Sequence, residues 1–370
     1  MENIGSNIWH VVRIVFRIVG ILGLIAAAFS FYAFKDEFLA LKSLREIDDS
    51  VFYIEYEGDY NFEEYLKSGG GKTNEEMAAY ISKCLKRGSW RGSGKAKGQE
   101  IKITPPAFGC ASIAAENKKG GYIFGRNYDW QDSSVMIVHS KPANGYESIS
   151  TSCLEFLGLD RKWKPSYKFP ADMVALATIY IPLDGLNEKG LYIADLVAGD
   201  KEATAQASGK PDLTTTAAIR MILDKAANVD EAVSLLEQID MNSVIGYAHH
   251  FAIADANGRS VVVEYVNNKM YVSETPVLTN HYTAESPKKG AVEESGRENS
   301  YTRFDELLTK GKKAGWSMDS TQVRDSLENI TAAKYSSEEM SVWSAVFESD
   351  YKRATYYFRG DYSKPFVIEF

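Results

Sequence analysis

The run VFYIEYEGDY, Val51 to Tyr60, alternates apolar with polar positions and stops at a Gly-Asp turn, which predicts a strand. Asn74 to Arg87 then shows helical spacing behind an Asn cap and an acidic first turn. Gly88 to Gln99, GSWRGSGKAKGQ, offers no core-forming pattern and predicts an exposed loop. From Ile101 the texture changes: CASIAAE and GYIFGRNYDW flank the turn NKKGG, and SVMIVHS follows, so three strands arrive in succession. Thr214 to Ala227 places Ile219, Ile222, Leu223 and Ala226 on one helical face, and Asp230 to Asp240 does the same with Ala232, Leu235, Leu236 and Ile239. Asn257-Gly258 predicts a hairpin turn between two alternating runs. Helices at Tyr301 to Lys313 and Thr321 to Ala333 precede C-terminal strands in SVWSAVF, ATYYFRG and FVIEF. Strands and helices in alternating blocks predict an α+β fold with layered sheets, not a βαβ wind.

The N-terminus departs from this texture. Ile18 to Phe34 is an uncharged apolar run behind Arg13 and Arg17. A helix starting near Val11, with both arginines snorkelling, reaches the roughly 20 residues that cross a bilayer. The run exceeds a signal-peptide core of about 7 to 15 residues and lacks a small-x-small site before Lys35, so an uncleaved single-pass anchor is expected. The chain thus divides into a tail and anchor (1–34), a front segment (35–109) and a main domain (110–370), the last expected outside the cytoplasm.

Composition narrows the chemistry. The 370 residues are 45% hydrophobic and 25% charged with a net charge of -8, which argues against a nucleic-acid surface. The cysteines, Cys84, Cys110 and Cys153, are too scattered for a disulfide framework, and an odd number leaves at least one free thiol. No HExxH or Cys-x-x-Cys pattern occurs, so neither a metal nor an organic cofactor is expected. SGGGKT (Ser68 to Thr73) and GSGK (Gly92 to Lys95) lack the earlier glycine of a phosphate loop and read as flexible linkers.

Cys110 follows Gly109 directly. A thiol attacks as thiolate and needs a base or a nearby positive charge. An N-terminal α-amine, with a pKa of about 8, can serve as that base for its own side chain. The amine is locked in the Gly109-Cys110 peptide bond, so scission there would switch the nucleophile on.

Cys110 followed by Gly125-Arg126-Asn127-Tyr128-Asp129-Trp130, then DGLNEKGLYIADL (Asp184 to Leu196), VLTN ending at Asn280 and YTRF with Arg303, resembles the choloylglycine hydrolase group of N-terminal nucleophile hydrolases. That group includes bile salt hydrolases, penicillin V acylases and the related acid ceramidases. The resemblance implies a four-layer αββα fold, Cys110 as nucleophile, Arg126 favouring its thiolate and Asp129 orienting its amine. It also implies an oxyanion-hole amide from Asn280, charge balance from Arg303, and a front subunit retained after cleavage, for which the helix at Asn74 to Arg87 offers a contact. Where bile salt hydrolases carry an oxyanion asparagine, this chain has Val197. The function expected is hydrolysis of a non-peptide linear amide. An acyltransferase, a non-catalytic surface binding module, and a Cys-His hydrolase using His250 or His281 are the alternatives. His249, with the other two, is expected to be a satisfied strand or loop residue.

Overall fold

The computed structural model describes residue 17 and residues 34–85, 109–168, 172–198, 203–243, 245–283, 299–335 and 340–370. The front segment supplies α1 (Lys35–Ser43), β1 (Arg45–Asp48), β2 (Val51–Gly58), α2 (Phe62–Lys67) and α3 (Asn74–Leu85). The strand-rich stretch gives β3 (Cys110–Asn117), β4 (Tyr122–Trp130), β5 (Val135–Pro142), β6 (Ser148–Cys153), β7 (Asp184–Asn187) and β8 (Tyr192–Val197). Then come β9 (Asp212–Thr214), α4 (Thr215–Lys225), α5 (Val229–Leu236) and β10 (Asp240–Asn242). A second sheet section holds β11 (His249–Ala254), β12 (Ser260–Val266), β13 (Lys269–Glu274) and β14 (Val277–Leu278). The chain ends with α6 (Asn299–Lys313), β15 (Ser317–Met318), α7 (Ser320–Glu328), β16 (Met340–Glu348), β17 (Arg353–Phe358) and β18 (Asp361–Glu369).

Local chemistry sets several of these boundaries. The Thr214 side chain accepts from the Ala217 N–H and the Asn228 side chain from the Glu231 N–H, capping α4 and α5 at their orphan donors. Asp319 and Gln322 form a capping box at α7. The turn through Asn257-Gly258 joins β11 to β12, with Gly258 at φ +89°.

A nine-stranded sheet runs in the order β1-β2-β5-β6-β7-β8-β11-β12-β13, and a second sheet runs β14-β3-β4-β16-β17-β18 with β15 beside β3. Side chains alternate across each strand, so both sheets bury both faces. In β5, Val135 and Ile137 join a core shared by the two sheets, while Met136 and Val138 join a core under α4 and α5. In the second sheet, Phe124 and Trp343 face the shared core, whereas Ile123 and Val346 pack with Leu307 of α6 and Val323 and Leu327 of α7. This double burial explains the near-continuous apolar runs SVMIV and SVVVEYV. The molecule is a mixed α/β sandwich.

The front segment belongs to this sandwich. β2 pairs in parallel with β5 from Val51↔Val135 to Gly58↔Pro142 and buries Phe52, Ile54 and Tyr56 in the core under α4. Met77 and Ile81 of α3 join the same core, so the expected docking helix adds to a contact that the strand dominates. Ser68 to Thr73 is not a flexible linker: the Gly71 N–H donates to the Asp212 carbonyl (2.7 Å) and the Asp212 N–H to the Gly69 carbonyl (2.9 Å). At Gly70, a Cβ would fall 1.9 Å from the Asp212 oxygen, so glycine is required for that approach. The loop expected at Gly88 to Gln99, the GSGK stretch and, but for Arg17 and Phe34, the apolar run lie outside the described residues. Among the described residues no helix is long and apolar enough to cross a membrane.

Candidate active site

Cys110 opens β3 opposite Tyr128 of β4. The ladder continues one residue further, where the Asp129 N–H donates to the Gly109 carbonyl at 2.7 Å. Asn280 Oδ1 accepts the Cys110 N–H at 2.8 Å, and Arg303 donates through Nη1 to the Cys110 carbonyl (2.5 Å) and through Nη2 to Asn280 Oδ1 (2.9 Å). Asn280 is itself fixed: its Nδ2 donates to the Val197 carbonyl and its N–H to Ser300 Oγ, each at 2.8 Å. The peptide bond preceding Cys110 is therefore held from both sides by groups that β4 and the turn after β14 supply, and the one following it by Arg303 of α6. In the intact chain Asn280 holds the main chain by its oxygen while its Nδ2 gives one hydrogen to the Val197 carbonyl.

Arg126 and Asp129 occupy opposite faces of β4, as their three-residue spacing requires. They still meet Cys110, because it lies at the start of the neighbouring strand. Fully buried Arg126 donates to the carbonyls of Asn127 (2.8 Å) and Asp195 (2.7 Å), and its Nε lies 3.5 Å from Asp184 Oδ2. Trp343 Nε1 donates to the same Asp184 oxygen at 2.8 Å. On the other face, Asp129 Oδ1 accepts from Ser341 Oγ at 2.5 Å. Its Oδ2 lies where a Cβ on Gly109 would come within 2.6 Å, so Gly109 is needed for this carboxylate to approach the peptide bond.

Burial dominates the electrostatics. It pushes the Cys110 thiol above its ordinary value despite the opposing Arg126 charge, so the thiol of the intact chain is weakly nucleophilic. Burial also pushes the Asp129 carboxyl up to about 6, against the pull of Arg303, Ser341 and Arg126. Asp184 is likewise raised by burial, with Arg126 opposing.

Beside Cys110 lies a narrow cavity walled by Tyr128, Trp130, Phe156, Ile181 and Leu183. Val197, Asp195, His249, Thr215, Thr216, Ile245 and, from the front segment, Asn74 complete it. His249 Nδ1 lies 2.9 Å from each oxygen of Asp195. The other expected bystanders are engaged elsewhere, His250 with Glu264 (3.1 Å) and His281 with Ser300 Oγ (2.9 Å). Asn127 binds the Leu327 carbonyl and Ser344 on the helical side, away from the cavity. Among the described residues no group of three or more His, Cys, Asp or Glu converges as a metal site.

The five expected residues, Cys110, Arg126, Asp129, Asn280 and Arg303, thus come together around Cys110, its thiol and its two flanking peptide bonds. Sequence reasoning missed Asp184, Asp195 and His249. The first was within reach, since Asp184 heads the DGLNEKGL motif and a buried arginine requires a counter-charge. For the other two the signal is cross-strand register, which local patterns do not carry.

Residues 115–362 match the model of the acyl-coenzyme A:6-aminopenicillanic acid acyl-transferase family. The chain is 33% identical over 113 residues to a penicillin V acylase of Pectobacterium atrosepticum, covering 27% of this chain and 30% of that one. It is 26% identical over 191 residues to a bile salt hydrolase/transferase of Clostridium perfringens, covering 47% of this chain and 54% of that one. These matches span under a third and about half of the curated relatives. The crystal structure of a mutant of the conjugated bile acid hydrolase from Clostridium perfringens superposes with a TM-score of 0.51 at 17% identity, covering 70% of this chain and 92% of that one, a likeness of fold.

Proposed function

Since this chain belongs to the acyl-coenzyme A:6-aminopenicillanic acid acyl-transferase family, we propose that it is a cysteine N-terminal nucleophile amidohydrolase, activated by scission at Gly109-Cys110, that cleaves non-peptide linear amides. One observation carries the reading: the Gly109-Cys110 bond is hydrogen-bonded on both sides, with Arg126 and Asp129 at its thiol. In activation, Cys110 Sγ attacks the Gly109 carbonyl, whose oxygen receives the Asp129 N–H. The C–N bond breaks as the thioester forms and the nitrogen takes up the thiol proton, which frees the Cys110 amine; water then hydrolyses the thioester to the Gly109 carboxylate and the Cys110 thiol. Deprotonation of the thiol no longer relies on Arg126 alone once that amine is present.

In turnover the freed amine takes the thiol proton, Sγ attacks the substrate carbonyl, and the proton passes to the leaving amine. Water hydrolyses the resulting acyl-Cys110 thioester. Asn280 Nδ2, which gives one hydrogen to the Val197 carbonyl, is the candidate oxyanion donor through its second, and Arg303 keeps charge balance against Asp129. The four-layer αββα arrangement, the single-pass anchor over 1–34 with the catalytic domain outside the cytoplasm, and the front segment retained as a subunit complete the proposal. N-terminal sequencing of the purified protein tests it. A large fragment beginning at Cys110 is expected, absent in Cys110→Ala along with amidase activity; an intact chain with full activity would defeat the reading. The names of the family and of the bile salt hydrolase/transferase support a second reading, acyl transfer from Cys110 to an amine. Product analysis with and without added amine separates the two.

A further inference from the structure

The first attack at Gly109-Cys110 has a proton to place and, before scission, no free amine to take it. Arg126 supplies charge beside the thiol, but a guanidinium stays protonated and accepts nothing. Asp129 is turned away: Cys110 pairs with Tyr128 and shares its face, whereas the Asp129 carboxylate goes to the other face, where Ser341 holds it. The acceptor is needed on the cavity side.

His249 stands there. It lines the same narrow cavity as Cys110 together with Asp195, each at 5% exposure. Both Asp195 oxygens lie 2.9 Å from His249 Nδ1. A carboxylate only accepts, so the ring hydrogen belongs on Nδ1 and Nε2 carries a bare lone pair. That Nε2 is buried with no hydrogen-bond partner among the described residues, a cost that calls for an explanation. Asn74, Tyr128, Thr215 and Thr216 also line the cavity, and none of them is a base near neutral pH. Register brings the ring to the right end of the bond. His249 sits opposite Val197 in the β8–β11 pair, and Asn280 binds the Val197 carbonyl with its amide while its oxygen binds the Cys110 N–H.

We propose that His249, oriented by Asp195, is the general base of self-scission at Gly109-Cys110. Nε2 takes the Sγ proton as Sγ bonds to the Gly109 carbonyl carbon. As the C–N bond breaks, Nε2 returns that proton to the Cys110 nitrogen, which leaves as the amine. His249 ends neutral, and water hydrolyses the thioester as above. The imidazole thus serves the one step in which the amine cannot yet act, and Asp195 is its positioning residue. The inference rests on the reading of Gly109-Cys110 as the bond that is cut.

The test follows full-length chains made by cell-free synthesis in detergent, so that scission starts at a known time, with mass spectrometry of the fragment beginning at Cys110. His249→Ala slows its appearance at least about a hundredfold, the lower end of what a positioned base contributes. Added imidazole, entering the space that the ring vacates, recovers at least about tenfold; a defect of packing alone does not respond to it. Asp195→Asn slows scission at least about tenfold and, with the His249 ring still in place, gains nothing from imidazole. Urea unfolding of each variant in a Cys110→Ala background reports whether the fold is kept. Should His249→Ala unfold, Asp195→Asn and His249→Gln, which fills the site without a base, decide alone. Scission at the parent's rate in a folded variant, or a slowing in His249→Ala that imidazole leaves untouched, overturns the inference and leaves the amidase reading in place. An unsubstituted chain that yields no fragment overturns that reading and this inference together.

Discussion

At the scale of single residues, Gly109 and Asp129 decide how the Gly109-Cys110 bond is held. Because a Cβ on Gly109 would lie 2.6 Å from Asp129 Oδ2 and 3.0 Å from its Cβ, Gly109→Ala must displace the carboxylate or the peptide. The Cys110 fragment is expected to form at least about tenfold more slowly, since small misplacements of reacting groups cost up to about a hundredfold; mass spectrometry of timed samples reads this. The Asp129 carboxyl, at about 6 instead of 3.8, carries a pH signature. Its folded pKa is raised, so the stability it brings is fully present below about pH 4 and is lost as pH rises through about 6. In a Cys110→Ala background, Asp129→Asn should gain stability relative to its parent by roughly 3 kcal/mol between pH 4 and 7, then run parallel to it. Urea midpoints across that range check it; a difference that stays flat from pH 4 to 7 would contradict the buried-carboxyl picture. The five candidate residues were legible because the quoted motifs name them in order. Asp195 and His249 were not, because their meeting depends on β8 and β11 lying side by side.

Elements show where local pattern suffices and where it fails. The helices α4, α5 and α7 could be read from apolar spacing and capping residues, and the Asn257-Gly258 hairpin from its turn. The pairing of β2 with β5 could not, since parallel neighbours are joined by distant contacts that no short pattern encodes. The docked loop at Gly69 to Gly71 was misread for the same reason, its partner Asp212 being far along the chain. Gly125, within the Gly-Arg-Asn-Tyr-Asp motif, has an element-scale cause. A Cβ there would lie 2.7 Å from Val323 Cγ1 of α7 and 2.9 Å from Ile113 Cγ2 of β3. Its absence lets α7 settle on β4. Gly125→Ala should cost about 1–3 kcal/mol of stability by overpacking, measured by denaturant unfolding; an unchanged midpoint would mean that α7 is free to shift outward.

For the whole molecule the question is what the proposed scission would do to a sheet built from both sides of Gly109. Residues on both sides of Gly109 build the nine-stranded sheet: β1 and β2 precede the cut, and β5 onward follow it. The β2–β5 ladder, the buried Phe52, Ile54 and Tyr56, and the clasp between Gly71 and Asp212 all cross from one product to the other. None of them involves the scissile bond, so breaking it leaves this interface whole. Asn74 also lines the cavity, so a departing front fragment would open the site as well as expose the hydrogen-bonding edge of β5. The two products are therefore expected to elute together in detergent, and to part only over the denaturant range in which the sheet unfolds. Phe52→Ala, at a fully buried position, should lower that range by about 3–5 kcal/mol of stability. Size-exclusion chromatography with mass spectrometry of the peak decides the matter. A Cys110 fragment that elutes alone with its strand signal intact would show that the front segment serves folding and is then dispensable. Co-elution with amidase activity, lost together as Phe52→Ala loosens the contact, would instead make it a working part of the enzyme.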